Sequence, residues 1–170
     1  AFLWKPNIVK QIGNSWLEEK YNTEIEREPF FCTFKFNKND NEFTLVNFHA
    51  VTKTEQPERE IKYFKYMPTE YSDLHLLFCG DFNCNEKNTV FIPLGKMGYV
   101  PVFHEQKTSL KMDCHDNDCL SSEYDNAYYE SNYFEVTNNQ IIPFYKDFKS
   151  NAEARKISDH VPICFQVSFK

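Results

Sequence analysis

The run Leu-His-Leu-Leu-Phe-Cys-Gly at 74–80 is apolar at nearly every position and stops at Asp81-Phe82-Asn83. A strand with one wet face alternates polar and apolar residues, whereas a short unbroken run marks a strand buried on both faces. A chain containing such a strand must cover both sides of its sheet, so it must supply packed layers above and below. The chain has 170 residues, 41% of them hydrophobic and 17% aromatic, enough for one domain over 1–170 with a sizeable core. Seventeen Phe and ten Tyr argue against disorder. No stretch approaches the ~18 consecutive apolar residues of a membrane span.

The flanking sequence supplies the other elements. "FFCTFKF" (30–36) and "EFTLVNFHA" (42–50) are β-rich and joined by the turn cluster "NKNDN", which predicts a hairpin. "TEQPEREIKYFKYM" (54–67) predicts a helix with Pro57 in the first turn and Glu58 and Glu60 facing the helix dipole. Ile61, Phe64 and Tyr63 form its buried stripe. "NTVFIPLGKMG" (88–98) predicts a second helix capped by Asn88 or Thr89, with Phe91, Leu94 and Met97 on one face and Gly98 as terminator. "SSEYDNAYYE" (121–130) and "VPICFQVSF" (161–169) read as further strands, and the opening "AFLWKPN" as the middle of a core strand. The order β-β-α-β-α-β-…-β argues for an α/β sandwich or a layered α+β fold.

Polar residues gather at the ends of these runs. His49 closes "FTLVNF", Asp81 and Asn83 follow the apolar run, Asp125 and Asn126 precede "AYY", and Asp159 and His160 precede the last strand. The period of two along a strand sends Asp81 and Asn83 to one face and Phe82 to the other. A carboxylate beside a carboxamide oxygen suits a hard divalent cation; an Asp-x-Asn turn bonding its own backbone is the competing reading. Sites in layered α/β proteins form where strand ends meet, so the four clusters are expected to converge. His75, His104 and His115 read as surface or satisfied residues.

Cys32, Cys79 and Cys164 lie in apolar runs and read as small core hydrophobes. Cys114 and Cys119 flank "HDND"; with a single His the spacing is wrong for structural zinc, and a local disulfide or two free thiols fits better. Secreted and cytoplasmic locations both stay open. The net charge of −6 offers no basic footprint for nonspecific nucleic-acid binding. It does not exclude a nuclease, since carboxylates that hold a cation count as negative until the cation arrives.

"NFHA", "GDFN", "YDN" and "SDHVP", in this order, resemble the endonuclease/exonuclease/phosphatase superfamily, to which deoxyribonuclease I belongs. "AFLWKPNIV" and "EREPFFCTF" extend the resemblance upstream. It implies part of a four-layer α/β sandwich of the deoxyribonuclease I type. It implies metal binding by Asp81, Asn83 and Asp159, with Asn83 also on the scissile phosphate. His49, Asp81, Asn83, Asp125 and His160 become the catalytic set, with Asp125 orienting His160. Arg27 matches an Arg that touches a substrate phosphate.

The implied cofactor is Mg²⁺, with Mn²⁺ or Ca²⁺ as substitutes, and the implied activity is phosphodiester hydrolysis, DNA being the foremost substrate. A phosphatase acting on phosphoinositides or other esters, and a non-catalytic binding module on the same fold, are the alternatives. The family's first-strand Asn and its metal-binding Glu have no counterpart here, and Glu18 and Glu19 are poor substitutes. The resemblance therefore covers the C-terminal portion of the family domain. An N-terminally incomplete domain is expected, weak alone and completed by an absent part or a second chain. Position 126 is Asn where deoxyribonuclease I has Arg.

Overall fold

The computed structural model describes residues 1–116 and 118–170. A six-stranded mixed sheet forms its centre. It contains β1 (Val9–Leu17), β2 (Phe30–Phe36), β3 (Glu42–His49), β4 (Leu76–Asp81), β5 (Tyr99–Pro101) and β8 (Asp125–Glu130). The strand order is β1-β2-β3-β4-β8-β5. β6 (Leu110–His115) and β7 (Asp118–Leu120) form one two-stranded sheet, and β9 (Phe134–Ile141) and β10 (Ile163–Phe169) another.

β4 is the unbroken apolar run, and it has neighbours on both sides, parallel β3 and antiparallel β8. Its alternate residues serve two different cores. Leu76 and Phe78 pack with Ile61, Phe64, Met67, Phe91 and Leu94 from the helical side. Leu77 and Cys79 pack on the other face with Val102, Phe103 and Ala127, and with Ile163, Phe165 and Val167 of β10. Helices, large sheet and small sheet thus stack in that order, the layered α/β arrangement expected. A third cluster of Leu110, Ala154 and Val161 seats the β6–β7 hairpin against helix α4 (Asn151–Ala154).

The hairpin of 30–36 and 42–49 forms as expected, with Phe31 opposite Val46. The two expected helices are shorter and broken. The first contains α1 (Glu58–Ile61), a 3₁₀ turn at Phe64–Tyr66 and α2 (Met67–Glu70). Pro68 lacks the N–H that would continue the helical ladder through this point. Ile61 and Phe64 are buried as expected, while Tyr63 is half-buried against Tyr21. The second is a 3₁₀ turn at Thr89–Phe91, capped by Asn88 accepting from Val90 N–H, followed by α3 (Ile92–Lys96). Met97, expected inside, lies exposed.

Glu60 does not face solvent at a helix end. It is 1% exposed, and its two oxygens accept the N–H groups of Glu26 and Val51, each at 2.8 Å. Residues 1–8 are not a core strand either. Ile8 and Val9 N–H groups close a turn on Lys5 C=O, and the strand that follows is the edge of the sheet. Residues 121–124 precede β8 and are not part of it. Cys164 is exposed because β10 has only β9 beside it and its outer face is uncovered. Cys79 is free and half-buried. Cys114 and Cys119 form a disulfide across the β6–β7 hairpin. Among the described residues no helix is long and apolar enough to cross a membrane.

Candidate active site

Three site residues occupy one level of the large sheet. His49 ends β3 and pairs with Asp81, which ends β4; Asp81 in turn pairs with Asp125, which begins β8. Backbone hydrogen bonds continue just past these pairs, from Ala50 N–H to Asp81 C=O and from Phe82 N–H to Tyr124 C=O. Neighbouring strands lie ~5 Å apart, so the three side chains are brought within one another's reach by pairing alone. Gly80 permits the approach. Its φ is +149°, and a Cβ built there would fall 1.8 Å from Phe48 C=O.

Asn83 reaches the site by a different route from the one its spacing predicts. β4 stops at Asp81, and Asn83 adopts a left-handed φ of 48°. Asp81 Oδ1 accepts the Asn83 N–H at 2.8 Å, so the Asp-x-Asn turn is present. The turn and the site are therefore the same structure: the turn swings Asn83 back toward Asp81 while Phe82 is buried. Asn83 donates its amide to Ala50 C=O at 3.2 Å, leaving its carbonyl oxygen as the group to offer a ligand.

His160 arrives from outside the large sheet. Its segment forms an antiparallel bridge with Ser109, and Leu110 N–H donates to Asp159 C=O at 2.7 Å. Ser158 Oγ accepts the His160 N–H at 3.1 Å, fixing the local turn. His160 Nδ1 lies 2.6 Å from Asp125 Oδ2. Its Nε2 is 3.8 Å from Asp81 Oδ2, and His49 Nε2 is 3.6 Å from the same oxygen. One carboxylate oxygen thus sits between two imidazoles.

The electrostatics follow from these contacts. The hydrogen bond to Asp125 raises the His160 pKa above the ordinary imidazole value, against the opposing effect of burial. Burial raises the Asp81 pKa above the usual carboxylate range. The Asp125 charge adds to this, and the Asn83 N–H and the two imidazoles oppose it.

His49, Asp81, Asn83, Asp125, Asp159 and His160 all line one cavity of about 440 Å³, with Thr52 and Ser158 completing its wall. Thr52 was not among the expected residues; it follows His49 by three positions, and its hydroxyl bonds Glu55 at 2.6 Å. Asp159 is the most open member, its side chain 62% exposed and 3.7 Å from Arg155. Arg27 does not line the cavity. It sits on the exposed loop whose Glu26 N–H is held by Glu60, the residue that also holds Val51 beside the His49 strand end. Glu18 bonds Tyr71 and the Lys20 N–H, and neither Glu18 nor Glu19 lines the cavity. Asn126 is structural: its side chain bonds both the N–H and the C=O of Phe103.

Asp81, Asp125 and His160 present ligand atoms within 4.8 Å of one another, the spacing of a metal site. Asp125 and His160 also bond each other at 2.6 Å, and the side chains of Asp81, Asn83 and Asp159 line the same cavity. Carboxylate and amide oxygens fit Mg²⁺, which takes one or two protein carboxylates and keeps several waters.

No known protein-family model matches the sequence, and no curated protein matches it. Solved structures do. An endonuclease/exonuclease/phosphatase family protein from Bacteroides thetaiotaomicron has a TM-score of 0.65 at 13% identity, over 98% of this chain and 68% of that one. A mannosyl-6-phosphatase from Bacteroides thetaiotaomicron VPI-5482 gives 0.66 at 14%, over 98% and 69%. D. rerio TDP2 complexed with a single-strand DNA product gives 0.66 at 14%, over 97% and 70%. The chain spans about two thirds of the length of each of these structures. The chain has the endonuclease/exonuclease/phosphatase fold.

Proposed function

We propose that this chain carries the active-site wall of a divalent-metal-dependent phosphodiester hydrolase, with DNA as its foremost substrate. The observation that carries the reading is Asp81 between two imidazoles, one of them held by a second carboxylate. Hydrolysis of a phosphate ester needs an activated water, positive charge near the phosphoryl oxygens and stabilisation of the leaving oxygen.

The residues divide those tasks. Asp125 accepts the Nδ1 proton of His160 and so aims Nε2 at the cavity, where it can take a proton from water. The raised pKa makes that ring a stronger base, and its protonated form an electrostatic partner for the phosphate. His49, its side chain 57% exposed, stands on the opposite side of Asp81, where it can contact substrate or leaving group. Asn83 presents an amide oxygen, and Arg27 on the neighbouring loop a guanidinium for a flanking phosphate. A Mg²⁺ held by Asp81, Asn83 and Asp159 would supply positive charge to the phosphoryl oxygens. The remaining third of the neighbours' length is proposed to contribute to full activity.

A phosphomonoesterase is the second reading, favoured by the net charge of −6, which offers no basic track for a long polyanion. The test is hydrolysis by the completed domain of plasmid DNA, single-stranded DNA, a bis-aryl phosphodiester and an aryl phosphomonoester. Each is assayed with Mg²⁺ or Mn²⁺ and with chelator. Chelator-sensitive diester cleavage supports the proposal, and monoester cleavage alone selects the second reading. No hydrolysis of any substrate would leave a binding module on this fold.

A further inference from the structure

Asp125 begins β8 and His160 lies before β10 in an isolated bridge, yet one buried residue touches the backbone of both segments. Thr108 is 0% exposed. Its Oγ1 accepts the N–H of Asp125 at 3.0 Å and of Tyr124 at 3.2 Å. The hydroxyl proton points to Ser122 C=O at 3.4 Å. Its own N–H donates to the same Ser122 C=O at 2.7 Å, and its C=O accepts the N–H of Val161 at 2.7 Å. Residue 108 therefore holds the start of β8 with its side chain, the segment before it at Ser122 with its N–H, and the residue after His160 with its carbonyl.

We propose that Thr108 is a positioning residue that sets the Asp125–His160 geometry. The inference deepens the proposed function, because it rests on that pair being the working groups. A β-branched apolar residue of the same shape would fill the space equally well. The hydroxyl is used instead to satisfy two consecutive N–H groups at the entry of β8. Both N–H groups converge on one oxygen, so the Asp125 Cα is located relative to Thr108. Val161 is located relative to the same residue from the other side. An ordinary core contact would fix neither direction. Ser109 extends the clamp through its bridge to His160 and its Oγ accepting the Ser122 N–H at 3.0 Å.

The test compares Thr108→Val, which keeps the shape and removes the hydroxyl, with Thr108→Ser, which keeps the hydroxyl and removes the methyl. The first readout is the ¹⁵N shifts of the two His160 ring nitrogens at one fixed pH without added cation, which report the tautomer. The second is hydrogen exchange at the Tyr124 and Asp125 amides. Wild type and Thr108→Ser should show Nδ1 protonated and both amides protected. Thr108→Val should show mixed tautomers and faster exchange at those two amides. In the completed, active domain its kcat should fall on the order of 10²-fold, with KM unchanged, as expected when a reacting group is displaced by about 1 Å. A folded Thr108→Val with wild-type ring and amide signals overturns the proposal, as does a Thr108→Ser variant that loses them. If Thr108→Val does not fold, Thr108→Ser decides alone: wild-type signals support the proposal and lost signals overturn it. The ring readout needs no substrate, so a chain inactive on every ester that still shows the Thr108 dependence defeats the functional reading and supports the positioning one.

Discussion

Asp125 Oδ2 and His160 Nδ1 meet at 2.6 Å although 35 positions separate the two residues in the chain. Asp125→Asn removes the charge that holds the ring and permits the wrong tautomer. Phosphoester hydrolysis should fall almost as far as in His160→Ala, where the lost proton-handling group is worth ~10²- to 10⁴-fold. Steady-state kinetics on both variants checks this, and an Asp125→Asn enzyme with wild-type kcat would refute the assigned role.

Asp81 must lose its proton before it can hold a cation, and its pKa is raised chiefly by burial. Affinity should therefore be full above that raised value and fall as pH drops through it, beginning above the range where an exposed carboxylate titrates. Calorimetric titration with Mg²⁺ or Mn²⁺ across that range, with Asp81→Asn as control, measures the loss. Affinity unchanged down to the ordinary carboxylate range would exclude Asp81 as the titrating ligand.

Arg27 lies outside the cavity wall. Arg27→Ala should raise KM for a polymeric substrate and leave kcat near wild type, because a phosphate contact positions without joining the chemistry. A drop in kcat with KM unchanged would place Arg27 among the reacting groups.

Gly80 has no room for a methyl group against Phe48 C=O. Gly80→Ala must displace β4 from β3, and a loss of at least ~3 kcal/mol is expected by analogy with other severe backbone conflicts. Urea unfolding followed by tryptophan fluorescence reads it directly. A loss under ~1 kcal/mol would mean the strands part easily here.

Glu60 accepts two backbone N–H groups with no exposure to water. Gln can accept only one of them and sets an NH₂ group against the other. Glu60→Gln should cost about 2–3 kcal/mol, the penalty for charged hydrogen bonds left unmade in the interior. The same variant should speed amide exchange at Glu26 and Val51; a variant with unchanged stability would assign the carboxylate no clamping role.

Much of the site was legible before any coordinates. The run 74–79 showed a strand covered on both faces because its alternate residues feed two cores, leaving no polar alternation to obscure it. The order of the His, Asp-Phe-Asn, Asp and Asp-His clusters carried the resemblance. The pairing of His49, Asp81 and Asp125 at one level was not legible, because β8 enters beside β4 from more than 40 positions away and register is a property of pairs of strands. Of the two readings open for Asn83, the Asp-x-Asn turn is the one the backbone adopts; the strand period fails because Asn83 is left-handed. β9, mostly polar and open to solvent, has no apolar period to betray it. Glu60 looked like a helix-end carboxylate because nothing local signals that two distant N–H groups converge on it. Thr108 is hidden for the same reason.

The three-strand row has a consequence for misassembly. A slip of one residue between β3 and β4 would turn the His49 side to the opposite face of the sheet, and a slip between β4 and β8 would do the same to Asp125. A compact species with the right strands and nearly the right core would then lack the row of His49, Asp81 and Asp125 on one face of the sheet. The row works as a vernier: the three side chains share one face only when two independent strand alignments are both correct, to within a single residue.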